Sequence, residues 1–162
     1  MSGIEILRIS VDALVKNGET DQYEYKENIN FDGHVEIDGD LGWVKFATGI
    51  RASGHIWTGA GTGIKAGEGI EAGTGIKAGW GIEAGWGIKA GTGIEAGTGI
   101  EAGWGIEAGT GIITFHYGGI VAKWIIALRI AVGFNLKSSK IQIVKAELRN
   151  DTPVILGKVE AP

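Results

Sequence analysis

From Ile64 to Gly111 the chain repeats one six-residue phrase eight times, Ile-[Lys/Glu]-Ala-Gly-[Thr/Trp/Glu]-Gly, and that period decides most of what it can fold into. A helix is a poor host. A six-residue step carries successive Ile residues to different sides of a 3.6-residue turn, and each interior glycine costs about 1 kcal/mol relative to alanine. Extended backbone suits the phrase better. Side chains alternate along a strand, so Ile at place one and Ala at place three share an inner face while Lys or Glu at place two points outward. The Gly-x-Gly that follows is expected to turn a corner, because glycine reaches positive backbone angles without steric cost. A short strand and a corner, repeated, is the pattern of a β-solenoid, in which each coil buries its Ile row against the next.

The charges at place two select the number of phrases per coil. In order they are Lys65, Glu71, Lys77, Glu83, Lys89, Glu95, Glu101 and Glu107. Two phrases per coil would stack Lys65, Lys77 and Lys89 in one column and Glu71, Glu83, Glu95 and Glu107 in another, and directly opposed like charges are destabilising. Three phrases give Lys65-Glu83-Glu101, Glu71-Lys89-Glu107 and Lys77-Glu95, which mostly alternate. The expectation is an all-β, single-domain parallel solenoid with triangular coils of about 18 residues. Place five then also forms columns: Glu68, Trp86 and Trp104; Thr74, Thr92 and Thr110; Trp80 and Thr98.

The phrase is recognisable beyond its strict copies. "INFDGH" from Ile29, "VEIDGD" from Val35 and "LGWVKF" from Leu41 precede it, and "IVAKWI" from Ile120, "IALRIA" from Ile126 and "VGFNLK" from Val132 follow. The solenoid is therefore expected over residues 29–137, with 1–28 and 138–162 as terminal caps. "KIQIVKAEL" and "VILGKVEA" read as two strands around the turn "RNDTP". The 30 glycines among 162 residues come with only two prolines and no three-residue spacing, which excludes collagen.

The six-residue period headed by an aliphatic residue resembles the hexapeptide repeat of left-handed parallel β-helices over roughly two thirds of the chain. The Gly-x-Gly corner and the admission of Trp depart from that pattern. Many hexapeptide helices are acyltransferases, and the resemblance implies a catalytic His near a loop projecting from the rod; the strict repeat here has no insertion long enough. The near-identity of the copies also resembles small Gly-rich repeat proteins of bacteriophages and mobile elements, some of which are inhibitors of the anti-CRISPR kind.

Catalytic constellations are scarce. His34, His55 and His116 are far apart in sequence, and no Gly-x-Ser-x-Gly elbow or phosphate-binding Gly-Lys-[Ser/Thr] is present. "GAGTGIKAG" imitates a dinucleotide fingerprint only in part, with Ala66 where its third Gly belongs. The acidic Asp32, Glu36, Asp38 and Asp40 are read as solvated rather than as a Ca²⁺ site. No enzyme activity, cofactor or metal is expected. With no Cys, a net charge of −4 and a pI near 5.4, the chain reads as a cytoplasmic protein with neither direct nucleic-acid binding nor a membrane span.

Trp carries the functional expectation. Trp80, Trp86 and Trp104 share a corner position with Thr, and Trp124 falls at place five of "IVAKWI". A position that accepts both Thr and Trp lies outside a close-packed core. Exposed indoles mark contact surfaces, so Trp80, Trp86, Trp104 and Trp124, with Glu83, Glu101 and Glu107, are the candidate partner-binding residues. The leading reading is a binder, in its narrower form an inhibitor of a bacterial nucleic-acid-processing complex. The alternatives are a self-assembling rod of the bactofilin kind, joined through open coil edges, and an ice- or glycan-binding Thr face.

Overall fold

The computed structural model describes residues 4–116, 118–132 and 143–161, apart from the side chains of Ile143 and Leu156. Stacked parallel strands wind into an all-β solenoid of about six turns. The only helical element among the described residues is the short 3-10 turn Val11–Ala13.

Three flat faces enclose a triangular core. Face 1 stacks Val44, Ile64, Ile82, Ile100 and Ile120; face 2 stacks Ile29, Ile50, Ile70, Ile88, Ile106 and Ile125; face 3 stacks Val35, Ile56, Ile76, Ile94, Ile112 and Ile130. Each of these residues is buried, and so are the alanines two places on, such as Ala72, Ala90 and Ala108. Burying one such Ile contributes about 1.5–3 kcal/mol, so the column of Ile rows is the main source of cohesion.

Within the strict repeat the winding is the expected one. Ile82 pairs with Ile100, Ile88 with Ile106 and Ile94 with Ile112, a coil of 18 residues in each case. The ion columns follow. Lys65 meets Glu83 at 2.6 Å, Lys77 meets Glu95 at 3.4 Å, Lys89 meets Glu107 at 3.2 Å, and Arg51 continues the face 2 column onto Glu71. Half-exposed pairs of this sort contribute at most about 1 kcal/mol each, so they favour this winding over others more than they hold it together.

The corner glycines work differently from the expectation. None of the glycines from Gly63 to Gly111 has a positive φ. The place-four glycines are required by close approach instead. A Cβ at Gly85, Gly91, Gly97, Gly103 or Gly109 would stand 2.1 Å from the carbonyl oxygen of the place-four glycine one coil earlier. Place six is looser: a Cβ at Gly69, Gly75, Gly87 or Gly93 would find its nearest carbonyl oxygen at 3.2–3.4 Å.

Outside the strict repeat the coil lengthens, and every lengthening falls at the corner leading from face 3 to face 1. Ile29 to Ile50 takes 21 residues and Ile50 to Ile70 takes 20. The extra residues lie between the strands His34–Ile37 and Gly42–Phe46, and between Ile56–Thr58 and Thr62–Ala66, where Asp40, Gly42 and Gly61 adopt positive φ. The third degenerate phrase is therefore corrected: Val44 and Phe46, not Leu41 and Trp43, occupy its inward places. Phe31 and Phe46 stand in this coil where the next has Ala52 and Ala66, and Ile37 stands where the next has Thr58, so the core is bulkier here.

The copies after Gly119 are corrected as well. The spacing shrinks to five residues, so the inward heads are Ile120, Ile125 and Ile130 rather than Ile120, Ile126 and Val132. The 7-residue strand Ile120–Ile126 runs across the corner and joins faces 1 and 2 into one 14-stranded sheet. Residues 133–137 of the phrase from Val132, residues 140–142 of "KIQIVKAEL" and the boundary at 137/138 lie outside the described residues. The terminal segments add strands to this framework. Ile6–Ile9 pairs in parallel onto face 3, Tyr23–Tyr25 onto face 1, and Val15–Lys16 turns antiparallel against Tyr23–Tyr25. At the other end Ile143–Leu148, Val154–Leu156 and Lys158–Glu160 continue the stack in parallel.

Candidate interaction surface

The corner between faces 1 and 2 carries the column Thr48, Glu68, Trp86, Trp104 and Lys123, joined by backbone hydrogen bonds from each residue to its predecessor. Trp86 is 71% exposed and Trp104 57%, so neither ring is taken up by the core. The two indoles and the bare Gly85, Gly87 and Gly103 line an open cleft of about 440 Å³. On its far side Trp104 receives the Lys123 ammonium 4.3 Å from its ring centroid, a cation–π contact that supports the ring from the next coil.

Glu83 and Glu101 lie beside this column, on successive coils of face 1. Glu83 is bridged by Lys65, whereas the residue beyond Glu101 is Val121 and no cation pairs with it among the described residues. Glu107 lies on the other flank, on face 2, tied to Lys89. Trp80 stands on the opposite edge of face 1. It is 43% exposed, sits between Thr62 and Thr98, and leans on Trp43 at 6.1 Å between ring centroids. Face 1 thus places Glu83 and Glu101 between two indole-bearing edges.

Trp124 does not join the corner column. Lys123 takes that place because "IVAKWI" lacks the Gly that stands between Ala and Trp in the strict phrase. Trp124 pairs instead with Gly105 and covers it, since a Cβ there would lie 2.2 Å from the indole. It is half-buried, with the Arg149 guanidinium 5.0 Å from its ring. Counting the missing glycine in the sequence identifies Lys123. Trp43 is harder to place, because it lies on the strand Gly42–Phe46, which follows the inserted corner and is out of phase with the repeat.

A second cluster lies on face 3 near the N-terminus. The rings of His34 and His55 stack at 3.8 Å, and His55 stacks on Trp57 at the same distance. The His55 backbone N–H donates to His34 Nδ1 at 3.0 Å, so that nitrogen is an acceptor. His55 Nε2 is buried without a hydrogen bond, 3.6 Å from Glu36, which also meets Arg8. Burial holds the His55 imidazole below its ordinary value; His34 adds to this and Glu36 opposes it. A proton therefore binds His55 more readily in the unfolded chain. Stability is expected to fall as pH drops below about 6.5, and His55→Phe, which keeps a ring in the stack, is expected to flatten that dependence. Urea midpoints between neutral and mildly acid pH check this.

Among the described residues no group of three or more His, Asp or Glu converges as a metal site. Asp32 accepts the Ser53 hydroxyl at 2.7 Å, Glu36 lies on face 3, and Asp38 and Asp40 belong to the next corner. His116 lies at the corner after face 3, with Nδ1 2.9 Å from the Gly97 carbonyl oxygen, well along the rod from the other two imidazoles. No helix among the described residues is long and apolar enough to cross a membrane. Comparison of the chain with family models, curated proteins and solved structures finds no match to any of them.

Proposed function

We propose that this protein works by binding, without catalysis, and that the indole-bearing corner of faces 1 and 2 is where it contacts a protein partner. The observation that carries the reading is the exposure of Trp86 and Trp104 on consecutive coils with an open cleft between them. Two indoles held on a rigid ladder lose little side-chain freedom on binding, and each offers a large apolar area, which is the chemistry of an interface anchor. The stacked backbone fixes their spacing at ~4.8 Å per coil before any partner arrives. Glu83, Glu101 and Glu107 then form a polar rim that favours a partner with basic groups around an apolar centre.

The narrower form is an inhibitor of a bacterial nucleic-acid-processing complex of the anti-CRISPR kind; what favours it is the net charge of −4 and Glu101 beside the cleft, which has no cation partner among the described residues. The test compares the wild type with the Trp86→Thr/Trp104→Thr variant, which uses the residue that the repeat itself carries at place five. Partners recovered by crosslinking on the wild type are expected to drop by ten-fold or more on the variant, with its β-sheet circular dichroism unchanged. Equal recovery by both proteins contradicts the reading. A second reading, end-to-end assembly, is favoured by the strand Ile29–Phe31, which ends the 14-stranded sheet with no strand on its other edge among the described residues. Sedimentation that shows concentration-dependent filaments would support assembly instead.

A further inference from the structure

Face 2 carries an open groove of about 440 Å³ that runs along the rod rather than around it. Its floor is the place-six glycine column. At Gly69 and Gly87 no side chain lies within 4 Å of where a Cβ would stand, so the floor is bare backbone. Glu71 and Lys89 belong to one wall, and Glu68 and Trp104 to the other. Trp124, lying over Gly105, closes the C-terminal end. From Gly49 to Gly105 the floor spans three coil steps, ~14 Å in all.

The walls decide what fits. Arg51 is paired with Glu71 and Lys89 with Glu107, so donors and acceptors alternate along one side without a dominant sign. A phosphate backbone would meet Glu68 and two cations already paired, Arg51 to Glu71 and Lys89 to Glu107, and so find no free positive charge among the described lining residues. An apolar peptide would have to desolvate those ions without pairing them. A peptide strand cannot extend the sheet here either, because the groove lies on a face whose backbone groups already pair coil to coil. A neutral chain of hydroxyls is different. Each hydroxyl both donates and accepts, the C–H faces of its rings pack on indoles, and a β-1,4-linked chain is straight and extended.

We propose that this groove binds an extended, uncharged β-1,4-linked glycan, its sugar rings laid along the glycine floor against Trp104 and ending at Trp124. The site is separate from the Trp86–Trp104 cleft, although the two share Trp104, and it does not rest on the protein-partner reading.

Titration calorimetry of the full chain with cellohexaose and with chitohexaose tests the proposal. Saturable binding of at least one is expected, weakened ten-fold or more by Glu71→Ala/Lys89→Ala and by Trp104→Ala, and unchanged by Trp86→Thr, whose ring lies outside the groove. Should the double variant lose its β-sheet signal, Lys89→Met keeps the bulk of the side chain and carries the same expectation. No binding of either hexasaccharide, binding indifferent to the wall variants, or tighter binding of a polyuronate hexamer would overturn it. Loss of the protein partner in Trp86→Thr with glycan binding intact separates the two sites; failure of the glycan alone leaves the indole edge standing.

Discussion

Gly91→Ala is expected to destabilise the protein by about 3 kcal/mol, while Gly93→Ala, two residues along, changes stability by less than about 1 kcal/mol. Composition alone treats the two glycines as equivalent. Their surroundings separate them: a methyl at Gly91 would stand 2.1 Å from the Gly73 carbonyl oxygen, whereas at Gly93 the nearest atom is the Gly111 carbonyl oxygen at 3.4 Å. The clash at Gly91 is with backbone, which cannot swing aside without parting two coils that the N–H of Gly91 and the Ala72 carbonyl hold together at 3.1 Å. Urea unfolding followed by circular dichroism measures both. Equal losses would mean that the corners depend on backbone freedom after all.

Ile94→Ala is expected to cost about 2–5 kcal/mol, the range for deleting a large aliphatic side chain from a well-packed core. Ile94 is fully buried between Ile76 and Ile112 in the face 3 column. The inward neighbours at place three are alanines, Ala78 and Ala96, which have no reach to fill the space left behind. Because each coil contacts chiefly the coils beside it, the loss weakens two interfaces at once and is expected to lower the cooperativity of unfolding as well as its midpoint. The contrasting position is Ile6, 46% exposed on the strand that ends face 3, where truncation to alanine is expected to cost well under half as much. The same urea series checks both.

The strict repeat made the winding legible because its charges obey one spacing. Lys65, Glu83 and Glu101 fall in one column only if three phrases close a coil, and that is the column the strands form. The two ends were less legible for a physical reason. A solenoid reads only which residues point inward, so an inserted corner or a missing glycine leaves the inward row intact while shifting every residue number after it. Read by period alone, "LGWVKF" falls three residues out of phase in this way, and "IVAKWI" puts Trp124 at the corner although it lies at the groove end. The outward position of Trp86 and Trp104 followed from the interchange of Trp with Thr at place five, which a packed interior would not accept. The glycine groove was not legible. It depends on place six being bare on the outside, which appears only when the coils are stacked.

The absence of native cysteine lets paired cysteines report the winding directly. In the Lys89→Cys/Glu107→Cys variant the two thiols replace an ion pair on adjacent coils of face 2, within the Cα separation that a disulfide spans. In Lys89→Cys/Glu101→Cys they stand on different faces. Mild oxidation of the monomer, read by mass spectrometry, is expected to close the first pair nearly completely and leave the second reduced. Closure of the second pair in preference to the first would contradict the three-phrase coil, and the indole edge and glycine groove would go with it.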